Sequence, residues 1–464
     1  GTYANGILET GEVDASTTVC SRYNLKMVKD INSGSGSSSP SEFTAIGNTL
    51  YFSATDGTNG DELWKSDGTA AGTVMVKDIN SGSGDSSPLY LTAIGNTLFF
   101  RATDGTNGFE LWKSDGTASG TVMVKDINSG SSSSFPGYLT AVGNTLYFSA
   151  TDPTNGTELW KSDGTASGTV MVKDINSGSG SSSPYYLTAV GNTLYFLAND
   201  GTNGTELWKS DGTASGTVMV KDINTASDWT SAYGVSDLTA VGNTLYFEAY
   251  DTTNGHALWK SDGTASGTVM VKDTWSATVT SALLSQFTVI GNTLYFQAYD
   301  PTNGYELWKS DGTTSGTVMV KDINSGSSSS SPSSLTPMGN TLYFQANDGT
   351  NGWELWKSDG TASGTVMVKD INSGSGSSNL DQLTAVGNTL YFRADDGTNA
   401  EELWKSDGTA SGTVMVKDIN SGSGSSSPDS LTAVGNTLYF RANDGTYGKE
   451  LYTHMGIYTE VTYS

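Results

Sequence analysis

The chain has 464 residues, a formal net charge of −25, 57 glycines and a single cysteine, Cys20. So acidic a surface argues against nucleic-acid partners and against anionic membranes. No apolar run reaches the ~18 residues that a spanning helix needs, and one cysteine cannot form an internal disulfide. Gly, Ser, Thr, Asn and Asp dominate, with Leu, Val, Tyr and Phe in short alternating bursts, which is the composition of an all-β chain with many turns.

Residues 1–23 resemble no later part of the chain and read as an amino-terminal extension. From Asn24 to Ile31 the chain spells the back end of a unit that reappears complete further on, as Thr73 to Ile79 shows. The first full unit carries four strand signals. Phe43 to Ile46 is short, and Gly47-Asn48 is a two-residue hairpin turn. Thr49 to Thr55 follows, then the loop Asp56 to Gly60. Glu62 to Ser66 is the third run, Asp67 to Gly72 the next turn, and Thr73 to Ile79 the fourth run. The Gly/Ser-rich connector Asn80 to Pro88 crosses to the next unit.

The motif around Trp64 returns at Trp112, Trp160, Trp208, Trp259, Trp308, Trp356 and Trp404, with Tyr452 in a degenerate last copy. The steps are 48, 48, 48, 51, 49, 48, 48 and 48 residues. A period of this size marks a repeat array in which no unit buries a core alone. Four antiparallel strands per ~45 residues is a propeller blade. Apolar residues on both parities of the second strand (Leu50, Phe52 and Ala54 against Tyr51) suit a sheet sandwiched between two others. The chain begins with a fourth strand and ends with three, so the two ends add up to one blade. The expectation is a nine-bladed, all-β propeller over residues 24–455, closed by the first segment pairing with the last. Residues 456–464 form a strand-like tail. A linear solenoid is the competing arrangement.

Glu-Leu-Trp-x-x-Asp-Gly-Thr followed by Gly-Thr-x-x-Val-Lys-Asp-Ile resembles the ELWxxDGT repeat proteins of bacteria. The resemblance covers residues 24–455 and implies secretion or surface anchoring, hence an extracellular or cell-surface location. It brings no catalytic residues. The unit at His256-Ala257-Leu258 departs by lacking the Glu, and the last unit has Tyr452-Thr453-His454 in place of Trp-Lys-Ser.

Asp56, Asn59 and Glu62 recur together on a short Gly-containing loop. Their oxygens could ligate Ca²⁺; the alternative is Asx-turn chemistry with the Glu in solvent. No other cofactor is suggested. Variation between units gathers at the residue before Glu-Leu-Trp and in the two irregular connectors. Strand polarity puts both on one rim, opposite a nearly invariant one. Trp229, Tyr250, His256, Trp275, Tyr299, Tyr305 and Trp353 would form an aromatic surface around blades five to seven. They would serve as a binding surface unless the longer connectors bury their own aromatics.

Only two histidines occur, and no nucleophile–base spacing appears, so a non-enzyme is expected. The leading reading is a structural or adhesive repeat protein that self-assembles through its termini into a filament or sheath. The alternative is a lectin using the aromatic rim. Partners are therefore other copies of the chain, or surface glycans and proteins.

Overall fold

The computed structural model describes residues 3–4, 7–8, 24–223, 234–251, 253–273 and 284–455. Nine four-stranded antiparallel sheets are arranged as blades, beside a two-residue ribbon, Tyr3–Ala4 with Ile7–Leu8. In blade 1 the strands are Ser41–Ile46, Thr49–Thr55, Asp61–Ser66 and Val74–Lys77, in sheet order. The first hairpin is as tight as its sequence implies. Ile46 faces Thr49, and φ is positive at Gly47 (58°) but not at Asn48, the pattern of a type II′ turn.

The ring closes as expected. Asn24–Lys29 pairs antiparallel with Lys449–Met455, with Asn24 opposite Met455 and Met27 opposite Tyr452. It is thereby the outer strand of the blade formed by Asp429–Val434, Thr437–Asn443 and Lys449–Met455. Each blade's first strand neighbours the next blade's first strand, and that of blade 9 neighbours that of blade 1. The first strands therefore line the axis.

The core lies between blades rather than within them. Nine hydrophobic clusters each draw on two adjacent blades. In blade 1, Leu50, Phe52, Ala54 and Trp64 pack toward blade 9, while Tyr51, Leu63, Val76 and Ile79 pack toward blade 2. This is why the second and third strands are apolar on both parities. A lysine locks each of eight seams: Lys29 Nζ donates to the Thr73 carbonyl (2.9 Å) and lies 5.7 Å from the centre of the Trp64 ring. Lys77 repeats this with Thr121 and Trp112, and the pattern runs on to Lys369, Thr413 and Trp404.

Candidate functional site

The loop proposed for Ca²⁺ is held by its own hydrogen bonds. Asp56 Oδ1 accepts the N–H groups of Thr58 (2.8 Å) and Asn59 (2.9 Å), and Oδ2 accepts Asn59 Nδ2 (2.7 Å). Burial opposes ionisation, but these donors prevail and keep the Asp56 carboxyl below its usual range. Glu62 is fully buried rather than in solvent. Its Oε2 accepts Ile79 N–H (2.8 Å) and Ser86 Oγ (2.7 Å), and its Oε1 accepts Asn80 and Ser86 N–H (both 3.2 Å). The carboxylate thus ties the third strand to the connector that leaves for the next blade. A cation would have to displace these bonds. Among the described residues no three His, Cys, Asp or Glu side chains gather as a metal requires.

Of the aromatic rim expected around blades five to seven, the described residues are Tyr250, His256, Tyr299, Tyr305 and Trp353, of which only His256 is fully buried. Trp229 and Trp275 lie outside the described residues. His256 is 2 % exposed, with Nδ1 3.2 Å from Glu248 Oε1 and its ring 5.1 Å from that of Tyr250. Ala257 stands where other units have the connector-binding Glu, and Glu248 instead accepts the Leu284 N–H (3.4 Å) from the next blade's first strand. The rings of Tyr299 and Tyr305 meet at a tilt of 57° with centres 4.9 Å apart and are partly buried against the seam between blades 5 and 6. Trp353 is half-buried. Tyr250 faces His256 and Tyr299 faces Tyr305 directly across the second and third strands. Tyr250 and Tyr299 are thus each in contact with a ring on the neighbouring strand.

The diversified surface lies instead on the inner wall. Every first strand carries a β-bulge. In blade 1, Ser41 pairs with Ser53 and Thr44 with Tyr51, so Glu42 and Phe43 oppose one residue. The first residue of the bulge is left-handed in all nine blades: Glu42, Tyr90, Tyr138, Tyr186, Asp237, Gln286, Ser334, Gln382 and Ser430, with φ from 52° to 62°. None is glycine, and such backbone is maintained only where its surroundings dictate it. Those surroundings are regular. Thr44 Oγ1 donates to the Leu91 carbonyl of the next blade (2.9 Å), and Thr140 to that of Leu187 (3.2 Å). Where the bulge residue is long and polar it lies along the wall: Glu42 Oε2 accepts Tyr90 N–H (2.7 Å), Gln286 Oε1 accepts Ser334 N–H (2.9 Å) and Gln382 Oε1 accepts Ser430 N–H (3.0 Å).

The three tyrosines do otherwise. Tyr90, Tyr138 and Tyr186 are 41 %, 51 % and 47 % exposed. With Glu42 they line an open hollow of about 370 Å³ on the wall of blades 1 to 4. Arg101 lies over the rings of Tyr90 (5.0 Å) and Phe109 (5.5 Å), and Phe109 stacks on exposed Phe135 at 5.8 Å. Tyr185 joins Tyr138 (6.5 Å) to Tyr186 (5.3 Å). Arg393 and Arg441, at the same strand position as Arg101, bind Asp381 (3.0 Å) and Asp429 (2.7 Å); Arg101 has Leu89 across from it instead. At the far end of the arc, burial raises the pKa of Asp237, opposed by its bond from Ser236 and helped by nearby Glu248. Sequence reading missed this arc. Its signal was the variable residue two places before the first strand's Thr.

No family model and no curated protein matches the chain. Among solved structures it is similar to a computationally designed protein, Ika8, at 18 % identity and TM-score 0.44, covering 82 % of this chain and 99 % of that one. It is also similar to puromycin hydrolase at 14 % identity and TM-score 0.36, covering 89 % of this chain and 60 % of the hydrolase. A prolyl endopeptidase follows at 12 % and 0.42, covering 81 % of this chain and 54 % of that one. The chain thus spans little more than half the length of either hydrolase. None of the three transfers a residue or a role to it.

Proposed function

We propose that this protein is a non-catalytic scaffold of the cell surface or extracellular space, structural or adhesive in role. In this reading it presents one diversified inner wall on a ring that is otherwise chemically closed. The observation that supports this is that three sets of repeated charged side chains are engaged within the fold. The Glu62-type carboxylates bind connectors, the Asp56-type carboxylates close their own loops, and the Lys29-type amines cap the next blade. Both histidines are buried, and burial, with Lys405 nearby, lowers His454 to about 4. That leaves it neutral and out of reach of solvent at physiological pH.

The test is incubation with chromogenic glycosides, esters and peptides, beside adhesion of labelled protein to intact cells and polysaccharide-coated surfaces. Adhesion without turnover is expected. Turnover that co-purifies with the ring and is lost in a channel variant would overturn the reading. Assembly through residues 1–23 and 456–464 belongs to the same proposal, and variants lacking either segment test it by light scattering.

A further inference from the structure

We infer that the tyrosine arc of blades 2 to 4 is a binding site for an uncharged oligosaccharide, which lies along the inner wall with its sugar faces on Tyr90, Tyr138 and Tyr186. This rests on the scaffold reading above and gives that scaffold its ligand class.

Four observations carry it. First, the three rings are exposed in a concave hollow of about 370 Å³, although a ring at this position has no structural duty. Ser334 and Ser430 occupy the equivalent left-handed position in other blades with the same backbone geometry. Second, the rings stand on consecutive blades, each fixed by a bulge whose neighbours are stitched strand to strand, so the platform is rigid before any ligand arrives. Ordering costs on binding are correspondingly small. Third, polar groups border the apolar faces. Glu42 flanks Tyr90, and the Arg101 guanidinium sits between Tyr90 and Phe109; Asp237 holds the equivalent position one blade beyond Tyr186. Apolar walls with a few placed donors and acceptors are what small-ligand sites require, and hydroxyl groups accept from arginine and donate to carboxylates. Fourth, charge selects among polymers. A net charge of −25, with Glu42 in the lining of the hollow, disfavours a polyanion. A sugar ring offers a flat C–H face to an aromatic and hydroxyls at its edge, and so matches both halves of the site.

The experiment is calorimetric titration of the full chain with neutral hexasaccharides (β-1,4-glucan, β-1,3-glucan, β-1,4-mannan and β-1,4-xylan), with an alginate hexamer and an unstructured peptide library as comparators. At least one neutral hexamer is expected to bind with Kd on the order of 1 mM or tighter. Single changes Tyr90→Ala, Tyr138→Ala and Tyr186→Ala should each weaken it roughly two- to tenfold, the worth of one stacked ring. The triple variant should abolish binding while keeping the wild-type Tm, since all three rings are exposed. Binding of no neutral hexamer, binding untouched by the triple change, or preference for alginate or peptide would overturn the site. Those results would leave the scaffold reading standing. Release of reducing ends from a bound hexamer would overturn the non-catalytic reading and leave the site.

Discussion

A buried carboxylate holding four donors connects the ring's stability to pH. Glu62 is pushed up to about 7 by burial, against the bonds from Ser86, Ile79 and Asn80 that favour its ionised form, and Glu306 and Glu354 reach the same value. When Glu62 takes a proton it can donate to Ser86 Oγ, whose own hydrogen turns to the Asp61 carbonyl 3.0 Å away. A carboxyl with a raised folded pKa holds its proton more tightly folded than unfolded. Its contribution is complete below 4.5, the ordinary Glu value, and is lost as pH rises through about 7. The Asp56-type groups have lowered values, so theirs is present above 3.8 and lost as pH falls through the folded pKa. Thermal melts should therefore show the highest Tm between the ordinary values of 3.8 and 4.5, with a fall of a few degrees toward pH 8. A Tm flat from pH 5 to 8 would count against this coupling. Glu62→Ala should cost about 3 kcal/mol in chemical denaturation, because it strands the buried Ile79 N–H and the part-buried Asn80 N–H, while Ser86 N–H keeps the Asp61 carbonyl.

At the scale of strands and seams, eight junctions share one lysine–tryptophan–threonine lock and the ninth differs. Between blades 8 and 9, Tyr452 replaces the Trp, and Lys417 is exposed where Lys29 and Lys77 are half-buried. A cavity of about 340 Å³ opens there against Leu25, Val414, Val416 and His454. Fewer buried contacts mean a lower local opening energy. In hydrogen exchange, amides of Val414–Lys417 should exchange before those of the matching strand Val366–Lys369; equal protection would refute a weak seam. The blades themselves were legible because Gly-Asn turns, alternation and period all point to one answer. The inner arc was not, because left-handed backbone at Glu42 or Tyr90 has no residue-type signature of the kind glycine gives. Tyr250 and Tyr299 differ for a related reason: their variability is visible in the sequence, whereas their ring contacts depend on the hairpin register that sets His256 and Tyr305 opposite them.

For the whole molecule, closure is what converts nine dependent units into one ring. The joint that achieves it has the chemistry of the internal ones: Ile31 N–H and Ser38 Oγ bind Glu450 at 3.0 and 2.6 Å, as Ile79 and Ser86 bind Glu62. A variant lacking residues 1–29 would leave Lys449–Met455 as an unpaired edge. In size-exclusion chromatography it should elute as larger species than a variant lacking only residues 1–23, which keeps the closing strand Asn24–Lys29. A monodisperse, fully folded truncation would show that closure is dispensable. The complementary ends were readable from sequence because each repeated part of a unit. What seats on the inner wall was not, since it depends on nine residues 48 to 51 positions apart meeting around one axis.

The closing joint also sets an order of events during synthesis. Ile31 leaves the ribosome 419 residues before its partner Glu450. Until Glu450 has been made, the first strand has nowhere native to pair, while complete blades can stack in sequence beside it. Two nascent chains on one messenger would each offer the other the partner it lacks, so slow dilution of ribosomes along the message, or a chaperone on the leading segment, would favour rings over interlinked chains.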